Sequence, residues 1–394
     1  MEDIVEIFSN YFSFAALTSQ GIVHAWGISS QGGSIPAGLN DQPTVRIFST
    51  RDAYVALRVD GSIVTWGAED WGGSIPSVVQ EQLTNKKVVD IVSGERGFVA
   101  LTEDGQCVNW GDSDSSYGFD NTLRTGISKI FPGHRSFAAI TTTGGVVAWG
   151  QYTSGFSNLE LAANETIVDI VSNRYATTVL KNTGEVFSWG ISSYGGVAPS
   201  DLTEVSQVYP LQYGFAALKF DGSIVTWGRT GTYGVGIPTS VQAVLADKKV
   251  IEILGGNQAT AALTEDGTVV AWGDARYGGS TPVGNSDVIK LYQTYLAFAA
   301  LKSNGDVIAW GEDDYGGSIP SSVNANKIKR IFPNARSFAA LRVDGSTKEI
   351  IHWGFYDHYF YIQANQLIYF FQLVMSYLIL VELLYQTLSL LTYV

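Results

Sequence analysis

Basic charge is scarce in this chain: 394 residues hold 24 Lys and Arg against 37 Asp and Glu, a formal net charge of −13. Sustained binding to a phosphate backbone wants the opposite balance, so no nucleic-acid partner is expected. The best basic cluster, Lys327, Lys329, Arg330 and Arg336, reads as solvated loop and strand-edge positions. Cysteine occurs once, as Cys107. A lone cysteine makes no intramolecular disulfide, so no oxidised secretory scaffold is implied. Its neighbours Gly105, Val108 and Trp110 place it in a strand as a packed thiol. The four histidines, His24, His134, His352 and His358, show no zinc spacing with cysteine. Asp112, Asp114 and Asp120 lack the alternating ligands and closing glutamate of an EF-hand. A phosphate loop ending in Lys-Ser/Thr is missing, and so is a Gly-x-Ser-x-Gly nucleophile elbow. No enzyme, cofactor or metal site is therefore expected. The opening Met-Glu-Asp-Ile-Val-Glu has neither the basic nor the apolar run of a signal peptide, which points to a cytoplasmic chain.

Glycine, by contrast, is abundant, at 43 residues, against a usual level of about 7%. Tight turns between strands need it. Aromatics make up 12% and hydrophobics 45%, enough for a packed structure. Nine Trp-Gly pairs, at Trp26, Trp66, Trp110, Trp149, Trp189, Trp227, Trp272, Trp310 and Trp353, recur 38 to 45 residues apart. A period of this size points to a propeller or solenoid. Other positions keep step. A Leu or Ile lies nine residues before eight of the tryptophans, from Leu17 to Leu301, and Leu341 serves the ninth unit. Phe14, Tyr54, Phe98, Phe137, Thr177, Phe215, Thr260, Phe298 and Phe338 lie three residues earlier again. An aliphatic residue leads each unit, as Ile47 or Ile91 does. Asp-Gly at 60–61, 104–105, 221–222, 266–267 and 344–345 marks hairpin turns. Alanine pairs such as Ala216-Ala217 and Ala299-Ala300 predict close approach of strands or sheets. The runs Val78–Lys87 and Val241–Lys249 read as connection insertions with a turn or two of helix.

A unit of about 41 residues holding three or four short strands is one propeller blade. The expected fold is all-β, a propeller or propeller-like array of nine units over residues 4–355. The Trp would fill the gap between neighbouring sheets. The stretches 215–228 (Phe-Ala-Ala-Leu-Lys-Phe-Asp-Gly-Ser-Ile-Val-Thr-Trp-Gly) and 298–311 (Phe-Ala-Ala-Leu-Lys-Ser-Asn-Gly-Asp-Val-Ile-Ala-Trp-Gly) resemble the RCC1-like repeat superfamily. That likeness runs from Ile4 to Gly354. Its short unit is similar to the β-lactamase-inhibitor-protein-II type, whose compact blades are largely three-stranded. Typical members of the superfamily have seven longer blades, so nine units leave a closed ring, an open spiral, or a ring with extra units all open. The usual Gly-x-x-His of that family is mostly missing, and His134 sits out of its register.

The segment after each Trp-Gly varies most. An aromatic recurs there, at Trp71, Tyr117, Tyr194, Tyr233, Tyr277 and Tyr315, while unit one has Gln31. Equivalent positions share one face, so these residues, with Glu69, Asp70, Asp313 and Asp314, form a candidate partner-binding rim. Packing of each ring on its own blade is the competing reading. Tyrosine and tryptophan combine large rigid area with a polar handle, and the acids favour a partner with a basic surface. A protein-interaction scaffold follows. The resemblance implies two alternatives: a guanine-nucleotide exchange factor or regulator of a small GTPase, and a proteinaceous enzyme inhibitor. Residues 356–394 break the repeat, and from Leu367 to Val394 the only charge is Glu382. This hydrophobic stretch reads as a tail anchor giving membrane association, as a helix packed on the array or in an oligomer, or as non-native sequence.

Overall fold

A computed structural model describes residues 4–354, apart from 113–121, 135, 154–155, 157–158, 232, 334–335 and 346. The expected helical or membrane-spanning tail, 356–394, lies outside the described residues. No helix among the described residues is long and apolar enough to cross a membrane.

The described residues hold nine three-stranded antiparallel sheets, each a meander of consecutive strands. They coincide with the nine Trp-Gly units, at 4–27, 44–67, 88–111, 127–150, 167–190, 205–228, 250–273, 288–311 and 328–354, called blades one to nine below. The two expected insertions are helices of seven residues, α1 (Ser77–Leu83) and α2 (Thr239–Leu245), each beginning after a proline. Two compact units result. One holds blades one and two, within residues 1–75; the other, Pro76–Phe355, holds blades three to nine.

Blade eight shows how sequence becomes sheet. Its second strand, Ala297–Lys302, is buried along almost its whole length. Side chains alternate between its two faces. Phe298 and Ala300 join the cluster shared with blade seven, beside Ala261 and Leu263. Ala297, Ala299 and Leu301 join the cluster shared with blade nine, beside Ile331 and Ala340. The two alanines thus face opposite neighbours, both fully buried, and their small side chains let adjacent sheets approach closely. The first strand, Val288–Gln293, buries Val288 and Leu291 rather than alternate residues. A bulge after Val288 causes this. Val288 pairs with Lys302 but Lys290 with Leu301, so one extra residue shifts the phase. The same register shift occurs in the first strand of every blade.

The repeated aromatics meet directly across each hairpin. Phe298 pairs with Trp310, and their rings stack with centroids 5.4 Å apart. Tyr54–Trp66, Phe215–Trp227 and Phe338–Trp353 repeat this at 5.1, 5.4 and 5.2 Å. Each of these indoles then reaches back to the preceding blade. Trp66 Nε1 donates to Gly32 O at 3.0 Å, Trp227 to Gly195 at 3.0 Å, Trp310 to Gly278 at 3.0 Å and Trp353 to Gly316 at 3.1 Å. At the opposite end of the blade the hairpin glycine accepts from the next first strand. Val288 N–H donates to Gly267 O at 3.0 Å and Ile328 N–H to Gly305 O at 2.8 Å. Where both bonds occur, as between blades seven and eight and between blades eight and nine, neighbouring blades are pinned at both ends of an apolar seam.

Two blades carry threonine where the others carry an aromatic, and the seam changes accordingly. In blade seven, Thr260 Oγ1 donates to Gly234 O at 2.6 Å, taking the acceptor that the indole uses elsewhere. Trp272 Nε1 is buried with no hydrogen-bond partner among the described residues. In blade five, Thr177 bonds Ser172 at 2.9 Å, and Trp189 packs on Phe156 at 4.6 Å. Cys107 is buried at the start of a third strand, facing the seam between blades three and four, as expected of a packed thiol.

These contrasts set two outcomes for urea unfolding followed by far-UV circular dichroism. Trp310→Phe keeps the ring and deletes the bond to Gly278, so it destabilises by about 1–3 kcal/mol beyond the lost area. Trp272→Phe deletes no such bond and should cost less by about 1 kcal/mol; equal losses would show that the indole bond does not hold the seam. Thr260→Val keeps the shape and leaves Gly234 O without its donor, with an expected loss of about 1–3 kcal/mol.

Candidate functional site

After each third strand the chain makes a tight connection, and four of the expected rim aromatics end it in the same way. Trp71, Tyr194, Tyr277 and Tyr315 are the last residues of single 3-10 turns, Glu69–Trp71, Ser192–Tyr194, Ala275–Tyr277 and Asp313–Tyr315. In blade one the equivalent turn ends on Gln31. The glycine that follows is left-handed in all five, with φ between 90° and 97°. A Cβ at Gly278 would also lie 2.6 Å from the Phe298 ring, and one at Gly316 2.7 Å from Phe338. Only glycine meets both demands. Its carbonyl is the acceptor used by the next blade's indole, so turn, aromatic and seam are one device. Tyr233 occupies the related bend of blade six. Tyr117 lies outside the described residues.

Polar side chains in the first connection of the same blade hold the rim backbone. Thr50 Oγ1 donates to Trp71 O and Thr294 Oγ1 to Tyr315 O, both at 2.9 Å. Asn173 Nδ2 donates to Tyr194 O at 2.9 Å and to Gly214 O at 3.0 Å, while its Oδ1 accepts from the N–H groups of Tyr175 and Ala176. The five described aromatics of the rim are half-buried. Glu69, Asp70, Asp313 and Asp314 are exposed. Asp112 is not: it is buried beside Trp110 and held by Arg96 at 2.6 Å.

An arginine covers every one of these five rings. Arg51 lies 4.6 Å from the Trp71 centroid, Arg276 5.0 Å from Tyr277 and Arg336 5.0 Å from Tyr315. Arg229 lies 4.1 Å from Tyr233 and 5.5 Å from Tyr194, and its Nη1 donates to the Tyr194 hydroxyl at 2.9 Å. Guanidinium on an aromatic face is favourable, more so as water is excluded. Asp274 fixes Arg276 at 2.7 Å, and this hydrogen-bonded partner holds the Asp274 carboxyl below the usual carboxylate range.

Three further tyrosines, Tyr152 just after blade four and Tyr175 and Tyr213 from the first connections of blades five and six, extend the rim rings into a run. Tyr152, Tyr175, Tyr194, Tyr213 and Tyr233 follow one another with centroid separations of 5.5, 4.3, 6.0 and 4.9 Å. Burial and then the neighbouring phenols, Tyr295 among them, raise the Tyr213 hydroxyl above its ordinary pKa. Tyr175, Tyr213 and Tyr295 carry no signal in the repeat, because they lie in short connections of different sequence. Next to this run, the first connections of blades four to eight enclose a cleft of about 480 Å³, lined by His134, Asn173, Arg174, Leu211, Gln212 and Tyr295 among others. Among the described residues no three His, Cys, Asp or Glu side chains converge to hold a metal. Of the basic cluster, Lys327 pairs with Asp344 at 2.6 Å and Arg330 lies over Phe332.

No family model matches the chain. It is 27% identical over 132 residues to the RCC1 domain-containing protein RUG3, mitochondrial, of Arabidopsis thaliana, covering 28% of this chain and 29% of that one. It is 31% identical over 165 residues to the human E3 ubiquitin-protein ligase HERC2, covering 32% of this chain and 3% of that one. The chain thus spans less than a third of either relative. Yeast RCC1 (Prp20), solved bound to Kap60, aligns at 16% identity with a TM-score of 0.40, over 73% of this chain and 77% of that one. The period of the unit, its Phe-Ala-Ala-Leu and Trp-Gly positions and its likeness to RUG3 agree: the repeat of this chain is similar to that of the RCC1-like superfamily.

Proposed function

We propose that this chain is a protein-interaction scaffold that holds its partner through the 3-10 turns and the first connections of its blades. The observation that carries the reading is the pairing of Trp71, Tyr194, Tyr233, Tyr277 and Tyr315 with arginines. Half-buried aromatics and arginines are the residue types that dominate binding energy when a partner removes their remaining water. Rings fixed by backbone bonds from Thr50, Asn173 and Thr294 lose little freedom on binding. The exposed carboxylates of Glu69, Asp70, Asp313 and Asp314 suit a basic patch on that partner. The scaffold carries out no chemistry of its own in this reading. Its phenols and guanidiniums are already engaged with one another.

The test uses the full-length chain as bait in a lysate, beside a variant carrying Trp71→Ala, Tyr277→Ala and Tyr315→Ala, with circular dichroism to establish that both are folded. A partner retained by the first is then purified and titrated. Affinity should fall by a factor of about 100 or more in the triple variant, the loss of one or two hot-spot residues. The pair Asp313→Asn and Asp314→Asn should leave dissociation nearly unchanged, slow association and flatten its salt dependence. An unaltered dissociation constant in the triple variant would remove the rim from the interface.

A further inference from the structure

The rim residues read from sequence are aromatic and acidic together, and the structure keeps them together in two turns, Glu69–Trp71 and Asp313–Tyr315, while other blades carry the ring without the acids. Carboxylates stand exposed at Glu69 and Asp70 after blade two and at Asp313 and Asp314 after blade eight. The run of five tyrosines belongs to blades four to six, and the short segments that carry the rings contain no Asp or Glu: Gln151-Tyr152-Thr153, Ser172-Asn173-Arg174-Tyr175, Ile191-Ser192-Ser193-Tyr194, Pro210-Leu211-Gln212-Tyr213 and Arg229-Thr230-Gly231 before Tyr233. Among the described residues the adjoining cleft likewise has no carboxylate in its lining, which includes His134 and Arg174. Glu95, from blade three, lies 3.2 Å from His134 Nδ1. In a chain with 37 carboxylates and 24 basic residues, ring-bearing segments that hold Arg174 and Arg229 and no acid of their own favour an anionic ligand. Arg174 joins the two features. It lies over Tyr175, at 5.6 Å from the centroid, and also lines the cleft.

We infer that blades four to eight carry a docking site for an extended acidic peptide segment of the partner. The tyrosine run supplies its bed, and Arg174 and Arg229 supply its carboxylate contacts. This rests on the scaffold reading and specifies one part of that surface. The extent of the run suits a peptide: four ring-to-ring steps of 4.3 to 6.0 Å match roughly six residues of extended chain at about 3.3 Å each. A guanidinium stacked on a phenol keeps donors in its plane for a carboxylate, having five in all. Arg229 gives one of its donors to Tyr194. The net charge of −13 disfavours a continuous polyphosphate and tolerates a short peptide with a few carboxylates.

Fluorescence anisotropy on the full-length chain tests this with labelled peptides of alternating Glu and Pro, Gln and Pro, and Lys and Pro, long enough to span the five rings, and with an oligothymidylate of similar length. The Glu-Pro peptide should bind saturably and at least about tenfold more tightly than the Gln-Pro peptide, a difference of one good charged contact. Arg174→Gln and Tyr213→Ala should each weaken it by about tenfold or more. The pair Asp313→Asn and Asp314→Asn should not weaken it. Arg174→Gln alters a side chain at the surface, so it reads the site even if Tyr213→Ala perturbs folding. Equal or tighter binding of the Lys-Pro peptide or the oligothymidylate would overturn the inference, as would full affinity in Arg174→Gln. If the Glu-Pro peptide fails to bind while the rim variants still release the partner, the acidic site is wrong and the scaffold stands. If it binds through Arg174 while those variants keep the partner, the rim is wrong and the acidic site stands.

Discussion

The indole N–H that crosses from one blade to the glycine carbonyl of the blade before it sets the terms for the rest of the molecule. Trp66, Trp227, Trp310 and Trp353 make this bond at 3.0 to 3.1 Å. A buried carbonyl without a donor is expensive, and so is a buried indole N–H. The bond therefore fixes the distance and angle at which one sheet meets the next. It demands a left-handed residue with no side chain at the acceptor, which explains Gly32, Gly195, Gly278 and Gly316. It also demands a flat partner that holds the indole in place, which the cross-strand Phe or Tyr provides by stacking. Blade seven satisfies the same carbonyl by another route. There Thr260 supplies the donor, and the indole of Trp272 is released from that task.

The candidate site inherits its geometry from the same bond. The rim aromatic immediately precedes the acceptor glycine, so its backbone is as fixed as the seam itself. Packing and display are not alternatives at such a position. One side of the Tyr315 environment is blade structure, through Thr294 and Gly316, and the other is Arg336 and solvent. Each blade can therefore vary the residues within the turn, as Ser192-Ser193 and Asp313-Asp314 do, without disturbing the sheet. Repetition of one rigid frame with changing turn residues gives a surface whose charge differs from blade to blade.

Much of this was legible in the sequence, and the parts that were not share a cause. Trp-Gly, the hairpin glycines and the alanine pairs announced the strands because each answers a local demand repeated in every blade. The helices α1 and α2 were visible as insertions between in-phase units. The positions of Trp71, Tyr194, Tyr277 and Tyr315 followed from their constant offset. Tyr175, Tyr213 and Tyr295 did not, since they belong to connections with no common pattern, and neither did the arginines that cover the rim. Asp112, the residue after its Trp-Gly pair, is a buried partner of Arg96, a pairing that the spacing along the chain does not announce.

By itself, the sequence determined the nine-fold repeat, the strand content of each unit and the small set of residues that every seam requires. Periodic burial and turn chemistry act over a few residues, and a period in the chain records them faithfully. Which side chains from different blades come together was decided by the tertiary structure alone. Tyr175 meets Tyr194, and Arg229 spans Tyr194 and Tyr233, because sheet stacking sets positions whose spacing along the chain carries no pattern of its own. The contact of Arg174 with Tyr175 and of Arg229 with Tyr194 and Tyr233 belongs to that second level, where side chains are brought together by blade packing and not by motif.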